Sequence, residues 1–168
     1  MKNNEEKQGI ALISVVFVIM ILLLLSGLTT YFSYDIITKT KEIAFSKDME
    51  TIYDACDEYY AINGSIPSLE GGITLTTEQY KQNINEIKGK ENSDLLESII
   101  VKNGDKEAMF YEVDISKIGI EDMKFGVRKN ENDIFLVSNE SHVVYYYPGY
   151  EIGENIYFDS MNILDKTN

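Results

Sequence analysis

The chain has 168 residues, of which 28 are acidic and 15 basic, leaving a formal charge of −13. That length holds one modest soluble domain beside a long apolar run and excludes a multidomain enzyme. Acidic residues are spread through everything after Asp35, so nucleic-acid binding by phosphate neutralisation is disfavoured.

The first predicted element is apolar. From Ile10 to Leu28 no residue is charged, and only Ser14, Ser26 and Gly27 break the strictly apolar character. A run of that length matches a hydrocarbon core of about 30 Å, and in lipid it must be a helix that satisfies its own backbone. Lys2 and Lys7 precede it and Asp35 is the first charge after it. The positive-inside rule therefore keeps the short leader cytoplasmic and places the acidic domain outside. A secretory signal peptide has a shorter core of about 7–15 residues followed by a small-residue cleavage site. Ser26-Gly27 imitates such a site, but Leu28, Tyr31 and Phe32 resume the pattern without a break.

Lys7-Gln8-Gly9-Ile10-Ala11-Leu12-Ile13, followed by continuous apolar residues, resembles the leader of type IV prepilins and type II secretion pseudopilins. The resemblance implies cleavage by a prepilin peptidase between Gly9 and Ile10 and N-methylation of the new Ile10 terminus. It also implies assembly into a filament through a helix that includes Ile10, Leu12, Ser14, Val16 and Phe17. Most pilins carry a glutamate as the fifth mature residue, where this chain has Ser14. Within the family that loss is typical of the pseudopilin at the filament tip, so the resemblance points to a minor or tip subunit. The helix also lacks the kinking proline common in major pilins.

The helical pattern continues beyond the apolar run. Phe45, Met49, Ile52, Cys56 and Tyr59 recur at alternating spacings of four and three, which sets them on one face for packing on a sheet. Lys47, Asp54 and Asp57 fall on the opposite face. Lys39, Lys41 and Lys47 are interleaved with Asp35, Glu42, Asp48 and Glu50, a mixed solvated face rather than a basic lipid-binding patch. With no proline from Ile10 to Asn63, the expectation is one helix about 80 Å long. It ends at Asn63-Gly64, with Pro67 shortly beyond. The segment Tyr59-Tyr60-Ala61-Ile62-Asn63-Gly64-Ser65-Ile66-Pro67 is similar to the one that closes the long helix in many pilins.

Residues 68–105 are polar and varied, with a helix entry at Thr76-Thr77-Glu78 and a short amphipathic helix around Leu95, Leu96, Ile99 and Ile100. Gly71-Gly72 is a loop, not a phosphate cradle, since no P-loop lysine pattern follows. Four runs rich in β-branched and aromatic residues come next: Met109 to Ile115, Met123 to Val127, Ile134 to Ser138 and His142 to Tyr147. They read as antiparallel strands, the last two a hairpin with a three-residue loop. Pro148-Gly149 ends the last of them, and Ile156-Tyr157-Phe158 offers an edge strand. The fold class is α+β: a long N-terminal helix packed on a small C-terminal antiparallel sheet, as in pilins. The divisions are a leader at 1–9, a transmembrane part at 10–34, an amphipathic helix at 35–63, a connecting region at 64–107, and the sheet with its tail at 108–168.

Sites for chemistry are scarce. Cys56 is the lone cysteine, which excludes an intramolecular disulfide and a cysteine metal site and leaves a small buried hydrophobe as its role. His142 is the lone histidine, so neither a histidine triad nor a multi-histidine zinc site can form, and it is expected as a partly exposed strand residue. Glu121-Asp122 and the turn Asn130 to Asp133 match no calcium loop. Tyr145-Tyr146-Tyr147 alternates faces, with one or two rings expected in the core and, for the remainder, core packing preferred over an exposed strip for a partner subunit. The expectation is therefore a structural subunit with no catalytic residues, cofactor or metal, held in the membrane with its domain on the outer side. Its implied partners are other pilin or pseudopilin subunits and the prepilin peptidase, with an assembly ATPase and a platform protein acting indirectly. The alternative is an uncleaved, signal-anchored binding or sensor domain.

Overall fold

A computed structural model describes the backbone of residues 2–120 and 133–160, and the side chains of the same residues apart from 2–14 and 28–33. Two compact units result, Met1–Thr40 and Lys41–Asn168. Helix α1 runs Lys2–Asn63 and supplies all the described backbone of the first unit. Near the end of that unit, Thr40 Oγ1 donates to the Ile36 carbonyl at 2.7 Å, and Asp35 pairs with Lys39 at 3.3 Å. Both ionic side chains are more than half exposed, so the pair contributes only about 0–1 kcal/mol.

In the second unit, α1 stops where the sequence places its stop. Gly64 adopts φ +66°, a left-handed conformation that glycine takes without a Cβ penalty. Its N–H donates to the Tyr60 carbonyl at 2.8 Å, and the Asn63 side-chain amide donates to the Tyr59 carbonyl at 2.9 Å. These bonds satisfy carbonyls that the helix end would orphan.

The elements that follow are β1 (Thr74–Thr76), α2 (Thr77–Lys88), α3 (Lys90–Asn103), β2 (Met109–Glu112), β3 (Ile134–Ser138), β4 (Val144–Tyr147), β5 (Tyr150–Ile152) and β6 (Asn155–Tyr157). Strands β1 to β4 form an antiparallel sheet in sequential order, and β5 pairs with β6 as a separate ribbon. The register sets Thr76 opposite Met109, Tyr111 opposite Val137 and Leu136 opposite Tyr145. The expected strand at Met123 to Val127 and the acidic groups from Glu121 to Asn132 lie outside the described residues.

The sheet is apolar on both faces, and this determines the rest of the unit. Successive side chains along a strand point to opposite faces. Phe135, Val137, Val144 and Tyr146 accordingly pack with Phe45, Met49, Ile52 and Cys56 of α1. Phe110, Leu136 and Tyr145 pack on the other face with Tyr80 and Ile84 of α2 and Leu96, Ile99 and Ile100 of α3. Each fully buried side chain of this size contributes about 1.5–3 kcal/mol. A four-stranded sheet with two apolar faces requires cover on both, so the region 64–107 cannot be a mere connection. It carries the helix pair that closes the second core.

Local chemistry starts that pair. Thr76 caps α2 by accepting from the Gln79 N–H at 3.2 Å, while the Gln79 side chain accepts from the Thr76 N–H at 2.9 Å, a reciprocal capping box. Helix α3 ends at Gly104 with φ +89°. After β4, the Tyr147–Pro148 bond is cis and Gly149 has φ +110°. A Cβ on Gly149 would sit 2.6 Å from Ile156 Cγ2, so β6 packs where only a hydrogen fits.

Asp105, between α3 and β2, ties the second core together. It is wholly buried, yet both carboxylate oxygens are bonded. Oδ1 accepts from Ser138 Oγ at 2.5 Å and the Ser141 N–H at 3.2 Å. Oδ2 accepts from Ser141 Oγ at 2.8 Å and Tyr145 OH at 2.6 Å. Four donors offset the loss of water that burial imposes on a carboxylate.

Two expectations are corrected by this geometry. His142 does not begin a strand: it sits at φ 59° in the β3–β4 turn, and β4 begins at Val144. The Ser138 N–H bonds the Val143 carbonyl at 3.0 Å, which leaves four residues in the loop instead of three. The tyrosine run packs as expected: Tyr145 and Tyr146 are buried, and the half-buried Tyr147 packs against the second core.

Candidate interaction helix

A water-soluble fold hides most large apolar side chains in contiguous groups, and a large exposed apolar patch marks a place where something else binds. From Val15 to Leu25, eleven consecutive large apolar residues are exposed, from 42% at Ile21 to 69% at Leu23. Eleven residues make three helical turns, so this surface is apolar around its whole circumference. A helix apolar all round belongs inside a protein assembly or a bilayer. Ser26 and Gly27 follow, and a Cβ built on Gly27 would meet nothing within 4 Å. Small residues of this kind let two helix backbones approach closely.

Of the expected assembly residues, Val16 is 52% and Phe17 62% exposed. The side chains of Ile10, Leu12 and Ser14, and the Gly9–Ile10 junction, lie outside those described. The same holds for residues 28–33 of the expected transmembrane part. Among the described residues, no helix is long and apolar enough to cross a membrane.

The residues expected to pack α1 on the sheet divide unequally. Phe45, Met49, Ile52 and Cys56 lie in the first core, all at most 2% exposed. Phe45 stacks on Tyr150 with ring centroids 5.0 Å apart. Tyr59 is half-buried and lies outside that cluster. Burial pushes the Cys56 thiol up to about 12 from its ordinary 9.0, which removes the thiolate that nucleophilic or metal chemistry requires.

Elsewhere among the described residues most buried polar side chains are paired, the Tyr80 hydroxyl being buried without a hydrogen-bond partner. Among the described residues, no three histidine, cysteine, aspartate or glutamate side chains are arranged to hold a metal ion. A cavity of about 320 Å³ lies beside Thr77, Lys81, Glu97 and Lys106. Lys81 there bonds Glu97 at 3.1 Å and Glu78 at 3.2 Å, and its ammonium is held above the usual lysine range chiefly by the hydrogen bond to Glu97. His142 rests on the Tyr60 ring at a centroid distance of 4.1 Å, with Nδ1 3.8 Å from Asp57. This contact anchors the β3–β4 turn to the end of α1.

The outward face of α1 in the second unit, marked in the sequence by Lys47, Asp54 and Asp57, carries apolar groups that the sequence reading missed. Ile43 is 67% and Ile62 74% exposed, and Asp54, Asp57 and Glu58 are exposed between them. The spacing alone carries this signal, since Ile43, Glu50, Asp54, Glu58 and Ile62 are separated by seven, four, four and four residues. Comparison of the chain with protein-family models, with curated proteins and with solved structures gives no match to any of them.

Proposed function

We propose that this chain is a minor subunit of a type IV pilus or pseudopilus, processed after Gly9 and assembled through its N-terminal helix. The observation that carries the reading is the all-round exposure of Val15–Leu25 on a chain whose buried large side chains gather into two separate cores. The leader-like sequence ending at Gly9, the helix stop at Asn63-Gly64 and the packing of an amphipathic helix on an antiparallel sheet are its further supports. In this reading residues 10–34 first hold the precursor in the membrane, with the acidic domain on the outer side. A prepilin peptidase then removes residues 1–9, and the freed helix packs among helices of other subunits, driven indirectly by an assembly ATPase and a platform protein.

The work of such a subunit is binding, and the groups present suit that role. Ser14 in place of a glutamate removes a carboxylate that would need a neighbour's amine inside the filament. A subunit lacking it has no need of a subunit stacked above, which supports a role at the tip or in initiation.

Intact mass and N-terminal sequencing of the membrane-extracted chain test the reading. The expected product begins at N-methylated Ile10. A mature chain that still begins at Met1 sinks the proposal and leaves a signal-anchored binding domain in its place.

A further inference from the structure

Residues 1–40 carry three acidic and three basic residues, whereas residues 41–168 carry 25 and 12. The entire net charge therefore resides in the second unit. It includes the outward face of α1, where Glu50, Asp54 and Glu58 follow one another at intervals of four with Asp57 beside them. Like charges at that spacing oppose a helix by about 0.2–0.5 kcal/mol per pair. Acidic groups near a helix C-terminus also oppose its dipole. Relief on the helix is confined to Lys47, which pairs with Glu50 at 3.4 Å; no basic residue lies between Lys47 and Asn63, and the final turn has none. Ile43 and Ile62, both largely exposed, bracket the acidic row on the same face and supply apolar area for a contact.

We propose that this face docks a different protein chain through a basic, partly apolar surface, and that a second copy of this chain is not the neighbour it selects. The inference rests on the reading of α1 as an assembly element and names the kind of partner that element takes. The bare helix in the first unit is apolar and sets no charge preference, so discrimination falls to the second unit. Two copies would bring two acidic rows together, while a basic surface turns the same row into an attraction. Electrostatic matching of this kind governs partner choice more than total affinity.

The test uses the full chain in detergent micelles, fluorescently labelled, and measures its association with three unlabelled partners. These are the same chain, the variant Glu50→Lys/Asp54→Lys/Glu58→Lys, and the control Glu86→Lys/Glu91→Lys/Asp94→Lys, which makes an equal charge change on α2 and α3. The expected result is that the α1 variant binds at least about tenfold tighter than the unmodified chain at ~20 mM salt, with the difference shrinking at ~0.5 M. The control should bind no more than about twofold tighter at low salt. Equal binding by the unmodified chain and the α1 variant overturns the proposal, as does equal binding by the control. If the lysine variant does not fold by circular dichroism, Glu50→Gln/Asp54→Asn/Glu58→Gln replaces it. Self-association of that neutral variant no tighter than that of the unmodified chain is then the overturning result. Processing after Gly9 is read separately by mass, so a processed chain that binds none of these partners overturns this inference without touching the proposed function.

Discussion

Two stretches of α1 of similar length have opposite fates. Between Phe45 and Cys56, apolar residues occupy one face, and the sheet covers that face. Between Val15 and Leu25 they occupy every face, and the side chains are exposed. The difference is one of arrangement. A stripe can be buried by a single neighbouring layer, whereas a fully apolar cylinder needs surroundings on all sides, which one small domain does not provide. The first pattern builds the domain and the second commits the chain to something outside it.

Substitutions sharpen that contrast. Phe45→Ala should destabilise residues 41–168 by about 3–5 kcal/mol, through lost burial and the cavity left against Tyr150 and Tyr146. Leu22→Ala should leave the thermal midpoint of that unit unchanged and weaken assembly instead. Calorimetry combined with a filament-yield assay checks both, and a large loss of domain stability from Leu22→Ala would break the comparison.

The second core has its own keystone. Asp105→Ala strands the donors of Ser138, Ser141 and Tyr145, at an expected cost of about 2–4 kcal/mol from unmade buried hydrogen bonds. Asp105→Asn retains acceptor capacity on one oxygen and should cost less. Chemical denaturation of the two variants against the parent gives the order directly.

Smaller effects follow from Cys56 and Thr76. The native thiol ionises near 12, against 9.0 for the ordinary group. Between those values the unfolded chain has released its proton and the folded chain has not, so stability falls as pH rises. Below about pH 9 this contribution is fully present, and it is lost on the way to about pH 12. A Cys56→Ala variant should show a shallower decline over that window, and the native thiol should resist maleimide at pH 8 until denaturant is added. Thr76→Ala removes the cap of α2 and should cost ~1 kcal/mol, seen as a small shift in the denaturation midpoint.

Much of the α1 contrast was legible in the sequence, because both halves are defined by period. The helix stop at Asn63-Gly64, the strand from Ile134 to Ser138 and the inward positions of Phe45, Met49, Ile52 and Cys56 follow from local pattern and turn chemistry. The second core was legible only in part: the entry of α2 at Thr76-Thr77-Glu78 and the apolar face of α3 at Leu96, Ile99 and Ile100 follow from the sequence, but their joint cover of the sheet does not. Helix α2 buries only Thr77, Tyr80 and Ile84, fewer than one apolar residue per turn, and β1 has three residues, too few for alternation to register. Tyr145 and Leu136 show their second-face role only once the pairing places them opposite each other. Nor does any local signal announce a histidine at positive φ, since the contact with Tyr60 that accompanies it joins residues far apart in sequence. The acidic face of α1 was visible as spacing but reads as ordinary solvation until Ile43 and Ile62 are found exposed on either side of it.

The buried, protonated Cys56 leaves a single introduced cysteine as the reactive thiol, and this gives the most direct test of the account. Phe17→Cys, oxidised in intact cells, should yield a disulfide adduct to a matching cysteine placed in a co-expressed subunit's N-terminal helix, and the adduct should fractionate with sheared surface filaments. A Phe17→Cys chain that remains a membrane monomer, labelled by a lipid-soluble maleimide and never cross-linked, would contradict the claim that the bare helix is an assembly element.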